Sequence, residues 1–170
     1  IITMKKIFLL FLIFSFSMSA QNDIYEKTKT IDSTIEVLYE VISGNKGVER
    51  DWDLFLNLFH KDAKLVPSGP NQESYGARFL SPQEYIESSG KWLFENGFHE
   101  VGIKNTTEIF GNIAHVFSSY ESFRSKSDKI PFMRGINSIQ MMYDNERWYI
   151  INIFWMQESE KNQIPIKYLN

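Results

Sequence analysis

The segment His60-Lys61-Asp62 puts an imidazole and a carboxylate in one short stretch. Such a pair can take a proton from a carbon next to a carbonyl. His60 and Asp62 are therefore the candidate catalytic residues. An Asp in such a place also suits a turn, which needs only local hydrogen bonds. Tyr85 and Trp92 stand two helical turns apart, so they share a side and can floor a pocket that stacks a flat ligand. Tyr120 shares a strand face with Ala114, Val116 and Ser118, whose small side chains leave room beside it. Arg134 offers a two-pronged hydrogen bond to a carboxylate. With Asn137, Ser138 and Gln140 it makes one strand unusually polar. Tyr85, Trp92, Tyr120, Arg134 and Gln140 form the candidate ligand-binding set.

Other chemistries are excluded by composition. The chain has no Cys, which removes thiol nucleophiles, Cys-based zinc sites and disulfides together. Its His residues, His60, His99 and His115, lie far apart and form no local metal-ligand spacing. Neither a metal nor an organic cofactor is expected. The net charge of −3, with mixed signs, gives nucleic acid no electrostatic footing.

The elements that must position these residues follow from periodicity. Ile31, Ile35, Leu38 and Ile42 make one apolar stripe of a first helix, closed by Gly44 and Gly47. Asp51 caps a short second helix, in which Trp52, Phe55 and Phe59 share a face. It ends near His60 to Ala63. A brief extended piece, Lys64 to Val66, is broken by Pro67, Gly69 and Pro70. Ser81, Pro82 and Glu84 form a capping box with proline at the first helical position, and Gly97 stops that third helix. From Phe98 the period changes to two, with strands over 98–110, 113–123, 132–143 and 147–157. Helices set apart from a meander of long strands mean an α+β architecture. On the strand 113–123, His115 falls on the face opposite Tyr120 and so belongs to the outer sheet surface.

The start of the chain reads as an address. Met4, Lys5 and Lys6 are followed by an apolar run, Ile7 to Phe16, and by small residues ending at Ala20. That is the layout of a secretory signal peptide, too short to span a ~30 Å hydrocarbon core. The expected organisation is a signal peptide over 1–20, one domain over 21–157 and a loosely packed tail over 158–170. A mature protein cleaved near Ala20 would be secreted or periplasmic and free of the membrane. Its aromatic content, 15% of the chain, favours wide, flat packing surfaces.

Four segments carry a family resemblance. Leu58-Phe59-His60-Lys61-Asp62-Ala63, Gly111-Asn112-Ile113-Ala114-His115-Val116, Gly135-Ile136-Asn137-Ser138-Ile139-Gln140 and Arg147-Trp148-Tyr149-Ile150 occur in the order and spacing of the nuclear transport factor 2-like (SnoaL-like) superfamily. The chain resembles that superfamily over roughly Ile31 to Gln157. The resemblance implies a cone: a strongly curved antiparallel sheet, a cystatin-like roll, packed against three N-terminal helices. It implies a cavity inside the cone, and commonly a homodimer through the outer sheet face. It does not fix an activity, since the superfamily holds binding modules, cofactor-independent isomerases, dehydratases and cyclases, and assembly domains. The leading expectation is a binding protein for a small, partly apolar ligand. The alternatives are an acid–base enzyme acting in the cone, or a dimeric assembly domain with a filled cavity.

Overall fold

The computed structural model describes residues 24–70 and 75–170, so the expected signal peptide lies outside the described residues. The elements are helices α1 (Ile31–Ile42), α2 (Trp52–Leu58) and α3 (Pro82–Asn96), and strands β1 (Phe59–Pro70), β2 (Tyr75–Ala77), β3 (His99–Phe110), β4 (Ile113–Phe123), β5 (Met133–Asp144) and β6 (Arg147–Gln157). A short 3-10 turn, Ile166–Tyr168, closes the chain. The strands form one curved sheet in the order β2-β1-β6-β5-β4-β3. Bulges break the register between Gly102 and Lys104 and between Gln140 and Met141. Each bulge adds twist and bends its strand, which lets the sheet wrap rather than lie flat.

Local chemistry sets the helix positions. Thr30 caps α1 by accepting the Ser33 N–H, and Ile31, Ile35, Leu38 and Ile42 are all buried. Asp51 caps α2 through the Leu54 N–H at 2.9 Å. At the start of α3 the Ser81 N–H donates to Glu84 Oε2 at 2.6 Å, and the Glu84 N–H returns to Ser81 Oγ at 3.2 Å. Gly97 ends α3 with φ of 71°, where a side chain would also fall 2.6 Å from the Arg124 carbonyl oxygen. The stripes of these helices and the concave sheet face build one core around Ile35, Phe55, Leu58, Val116, Ile139 and Ile150.

Two expectations need correction. The piece expected to be brief, at Lys64 to Val66, is part of a strand of 12 residues that runs through Pro67. Its residues Lys64 to Ser68 pair in parallel with Asn152 to Met156 of β6, so the sheet is mixed at this one junction. At Pro67 the ladder keeps one bond of a pair: the Pro67 carbonyl accepts from the Arg78 N–H at 3.2 Å, and the return bond is given up. The tail is not loose either. The Ile164 N–H donates to Glu158 Oε1 at 2.9 Å, and Ile164 is buried. Tyr168 lies on the outer sheet face with its ring centroid 4.9 Å from that of Phe117. Ser119 Oγ donates to the Tyr168 carbonyl at 2.5 Å, and Lys104 Nζ donates to the Lys167 carbonyl at 3.0 Å. Apolar side chains at Ile164 and Tyr168 find apolar surface, and the polar backbone between them finds donors.

The Ser81–Glu84 capping box fixes the start of α3. Ser81→Ala should lower global stability by about 1 kcal/mol, read as a shift in the urea midpoint with an unchanged slope.

Candidate functional site

A cavity of about 200 Å³ lies between the concave sheet face and the helices. Leu38 and Ile42 of α1, Phe55 of α2, and Tyr85, Ser89 and Trp92 of α3 form its helical side. The sheet contributes Leu65, Glu100, Tyr120, Asn137, Ile153 and Trp155. The walls are apolar, with the polar groups few and inward. A wider open trough of about 1060 Å³ runs between α1 and the free edge of β3, and Tyr39 and Glu100 line that trough as well.

Sheet register assembles the polar group. Glu100 of β3 pairs with Ser122 of β4, and Ser118 of β4 pairs with Asn137 of β5. Ser122 Oγ donates to Glu100 Oε2 at 3.0 Å. Asn137 Nδ2 donates to Glu100 Oε1 at 3.3 Å and to the Tyr39 hydroxyl at 3.2 Å. Tyr39 and Ser118 then share a hydrogen bond of 2.6 Å. Burial pushes the Glu100 carboxyl up to about 7, against the pull of the Ser122 and Asn137 hydrogen bonds. Burial, then the Glu100 charge, also holds the hydroxyls of Tyr85 and Tyr120 well above the usual phenol range. Both therefore remain donors. Neither hydroxyl has a hydrogen-bond partner among the described residues, and both side chains line the cavity. The Tyr120 ring fits only because Gly135 lies beneath it, where a Cβ would sit 2.4 Å from the phenol oxygen.

The candidate residues separate into two groups. Tyr85, Trp92 and Tyr120 come together in the cavity. His60, Asp62, Arg134 and Gln140 do not. His60 and Asp62 stand beside one another, with His60 Nδ1 3.7 Å from Asp62 Oδ2, but on the solvent side of β1. The reason is the irregular register between Phe59 and Lys64, where only Phe59 and Ala63 turn into the core. Asp62 is exposed, and its hydrogen bond from Lys61 Nζ at 2.6 Å holds its carboxyl below the usual range. Arg134 and Gln140 face outward because the alternation of β5 turns Gly135, Asn137 and Ile139 inward. Arg134 makes its fork to Glu158 instead, with Nε to Oε2 at 2.8 Å and Nη2 to Oε1 at 3.1 Å. On the same outer face His115 Nε2 meets Ser138 Oγ at 2.9 Å, as the strand parity requires.

Glu100 is the residue that the sequence reasoning passed over. Its signal was parity: Phe98, Glu100 and Gly102 fall on one strand face, and Gly102 is the register partner of Tyr120. An acid placed on an inward face is worth notice, because burial of a charge is costly unless it is paired or neutralised.

With this geometry in place, the comparisons bear on the fold. The fold is that of the nuclear transport factor 2-like, or cystatin-like, proteins. The chain is similar to a nuclear transport factor 2-like superfamily protein from Salmonella enterica, with TM-score 0.55, 11% identity, and coverage of 82% of this chain and 94% of that one. It is similar to a protein of unknown function with a cystatin-like fold from Nostoc punctiforme, with TM-score 0.58, 12% identity and coverage of 76% and 90%. A provisionally named scytalone dehydratase from Novosphingobium aromaticivorans is also similar, with TM-score 0.57, 13% identity and coverage of 76% and 82%. No protein-family model matches the sequence, and no curated protein matches it. At these identities the likeness speaks for fold alone.

The raised Glu100 pKa has a thermodynamic consequence. The folded state keeps a proton that the unfolded chain, near the ordinary value of 4.5, has already released. Stability should therefore be full below about pH 4.5 and fall as the pH rises towards 7, then level off. The loss should be on the order of 3 kcal/mol. Glu100→Gln should flatten this dependence between pH 5 and 8, as measured by urea unfolding at stepped pH.

Proposed function

We propose that the cone is a binding site for a small, largely apolar molecule carrying one carbonyl or hydroxyl group. The observation that carries this reading is the cavity, in which Glu100, Tyr85, Tyr120, Asn137 and Ser89 stand among mostly apolar walls. Size supports it. An apolar cavity of roughly 150 Å³ holds benzene, so about 200 Å³ suits one substituted ring. Chemistry supports it too, since a ligand oxygen would meet two phenol donors and a carboxyl able to donate or accept. The test is a ligand-observed NMR screen of one-ring ketones and phenols. Ser89 sits at the solvent side of the cavity, so Ser89→Phe should fill it while leaving the fold intact by circular dichroism. Binding to the wild type and its loss in Ser89→Phe is the expected result; equal binding in both would refute the site.

A second reading is favoured by the ionisation of Glu100 near neutrality. As a carboxylate, Glu100 can take the proton from the carbon next to a ligand carbonyl. The Tyr85 or Tyr120 hydroxyl then donates a hydrogen bond to the enolate oxygen. The Glu100 acid returns the proton to the same or a neighbouring carbon, giving exchange or isomerisation without a cofactor. Such an enzyme should exchange α-hydrogens of a bound one-ring ketone for deuterium, faster as the pH rises through about 7. Glu100→Gln should slow that exchange by about 10² to 10⁴-fold. Undiminished exchange in the variant would exclude Glu100 as the base.

The same reading extends to the cell and the assembly. The positive start and apolar run of residues 4–20 support export, with the cone working in a periplasmic or extracellular space. Among the described residues no helix is long and apolar enough to cross a membrane. Two copies would pair through the outer sheet face beside the Ile166–Tyr168 turn, where Phe154 and Gln140 are left exposed.

A further inference from the structure

We propose that Arg124 is the specificity residue of this cavity and that it selects ligands bearing a carboxylate. The inference rests on the cone being a ligand site, and it names the ligand class. Of the residues lining the cavity, Tyr85, Ser89, Trp92, Met133 and Trp155 are the ones that also reach solvent, so they mark its mouth. Arg124, the first residue after β4, is exposed beside that mouth and stacks on Trp92, one of its lining residues. Its guanidinium carbon lies 4.5 Å from the Trp92 ring centroid and 3.9 Å from that of Phe132. Trp92 belongs to α3, and Phe132 immediately precedes Met133 at the start of β5. Phe98, which lines the cavity below, packs against both rings at centroid distances of 6.3 and 6.2 Å. The cation is therefore held between the two sides of the rim.

Among the described residues the guanidinium makes no contact beyond this stacking. Among the described residues it has no carboxylate partner, unlike Arg134, which is bound to Glu158 and Glu121. Asp128, the acid of its own loop, is already committed: its Oδ2 accepts the backbone N–H groups of Arg124 at 3.1 Å and Ser125 at 2.9 Å. Lys126 and Lys129 leave the loop with a net positive charge. A guanidinium stacked between rings keeps its N–H fork free in its own plane, and the stacking has already restricted its rotamers. That is a preorganised receptor for a planar carboxylate. The apolar walls between Arg124 and the Glu100 end would then take one ring. The structure thus assigns a ligand class: one-ring monocarboxylic acids with a hydroxyl or carbonyl at the opposite end.

The test compares 4-hydroxyphenylacetate with 4-hydroxyphenylacetamide, which match in shape and differ in charge. Affinities are measured by titration calorimetry at low and high salt for the wild type, Arg124→Gln and Arg124→Lys. The wild type should prefer the acid about tenfold or more, with the preference shrinking as salt rises. Arg124→Gln should lose the preference while holding the amide as before, and Arg124→Lys should keep part of it. Equal affinities in the wild type, or a preference that survives in Arg124→Gln, would overturn the assignment. Should one-ring ketones bind while neither probe does, the carboxylate selectivity is wrong and the cavity stands. Should nothing in any series bind, the cavity reading fails and Arg124 falls with it.

Discussion

The carboxyl group of Glu100, buried beneath the helices, is the constraint around which the centre of this molecule is arranged. An ionised carboxylate in an apolar interior is unfavourable by several kcal/mol unless it is paired or given hydrogen bonds. Among the described residues no Arg or Lys pairs with this one. Its two oxygens are served by Ser122 and Asn137, from the neighbouring strand and the strand beyond it. Those donors hold it only partly, and so it titrates near neutrality rather than near 4.5. Asn137 is drawn by the same requirement into contact with Tyr39, and Tyr39 with Ser118. A row of polar side chains thereby crosses β3, β4 and β5 and ties the sheet to α1. Gly102, against the Tyr39 ring, and Gly135, under the Tyr120 hydroxyl, clear the space that this row needs.

Much of the fold could be read from the chain because its signals are local. The stripe at Ile31, Ile35, Leu38 and Ile42, the Ser81–Glu84 box and the positive φ of Gly97 depend only on near neighbours. The four long strands were also legible, since alternation and turn residues set their limits. On β4 parity separated Tyr120 from His115, and the small residues beside Tyr120 marked its face as the inward one. What failed was non-local. Pro67 reads as a strand breaker until β6 is known to lie alongside β1 in parallel. The tail reads as loose until the apolar surface around Phe117 is known to be waiting for Tyr168.

The site was only half legible for the same reason. Tyr85, Trp92 and Tyr120 were found because large aromatics on inward faces announce themselves. His60 and Asp62 were attractive as a pair in sequence, and they are a pair in space, yet the irregular start of β1 leaves them in water. A catalytic pair needs a cavity as well as mutual contact. Arg134 looked like a carboxylate fork and is one, but its carboxylate is Glu158, from its own chain. The one sequence sign of Glu100 was its place on the strand face it shares with Phe98 and Gly102. Its importance lies wholly in what β4, β5 and the helices place around it.

The polarity of the cavity runs from end to end, and this bears on what it can hold. A ligand charge at the rim, beside Arg124, stays near water and loses little hydration. A charge at the Glu100 end would lose most of its hydration and would meet a carboxyl that is itself ready to ionise. The arrangement therefore favours molecules whose charged group and reactive or hydrogen-bonding group sit at opposite ends of an apolar ring. It also sets the direction of approach, with the neutral end entering first past Trp92. Tyr85 and Tyr120, kept protonated by the burial that raises Glu100, are then the donors such an end would meet. Exclusion of water from a narrow cone thus raises the Glu100 carboxyl and ties stability to its ionisation, and the same cause would set the selectivity of the proposed site.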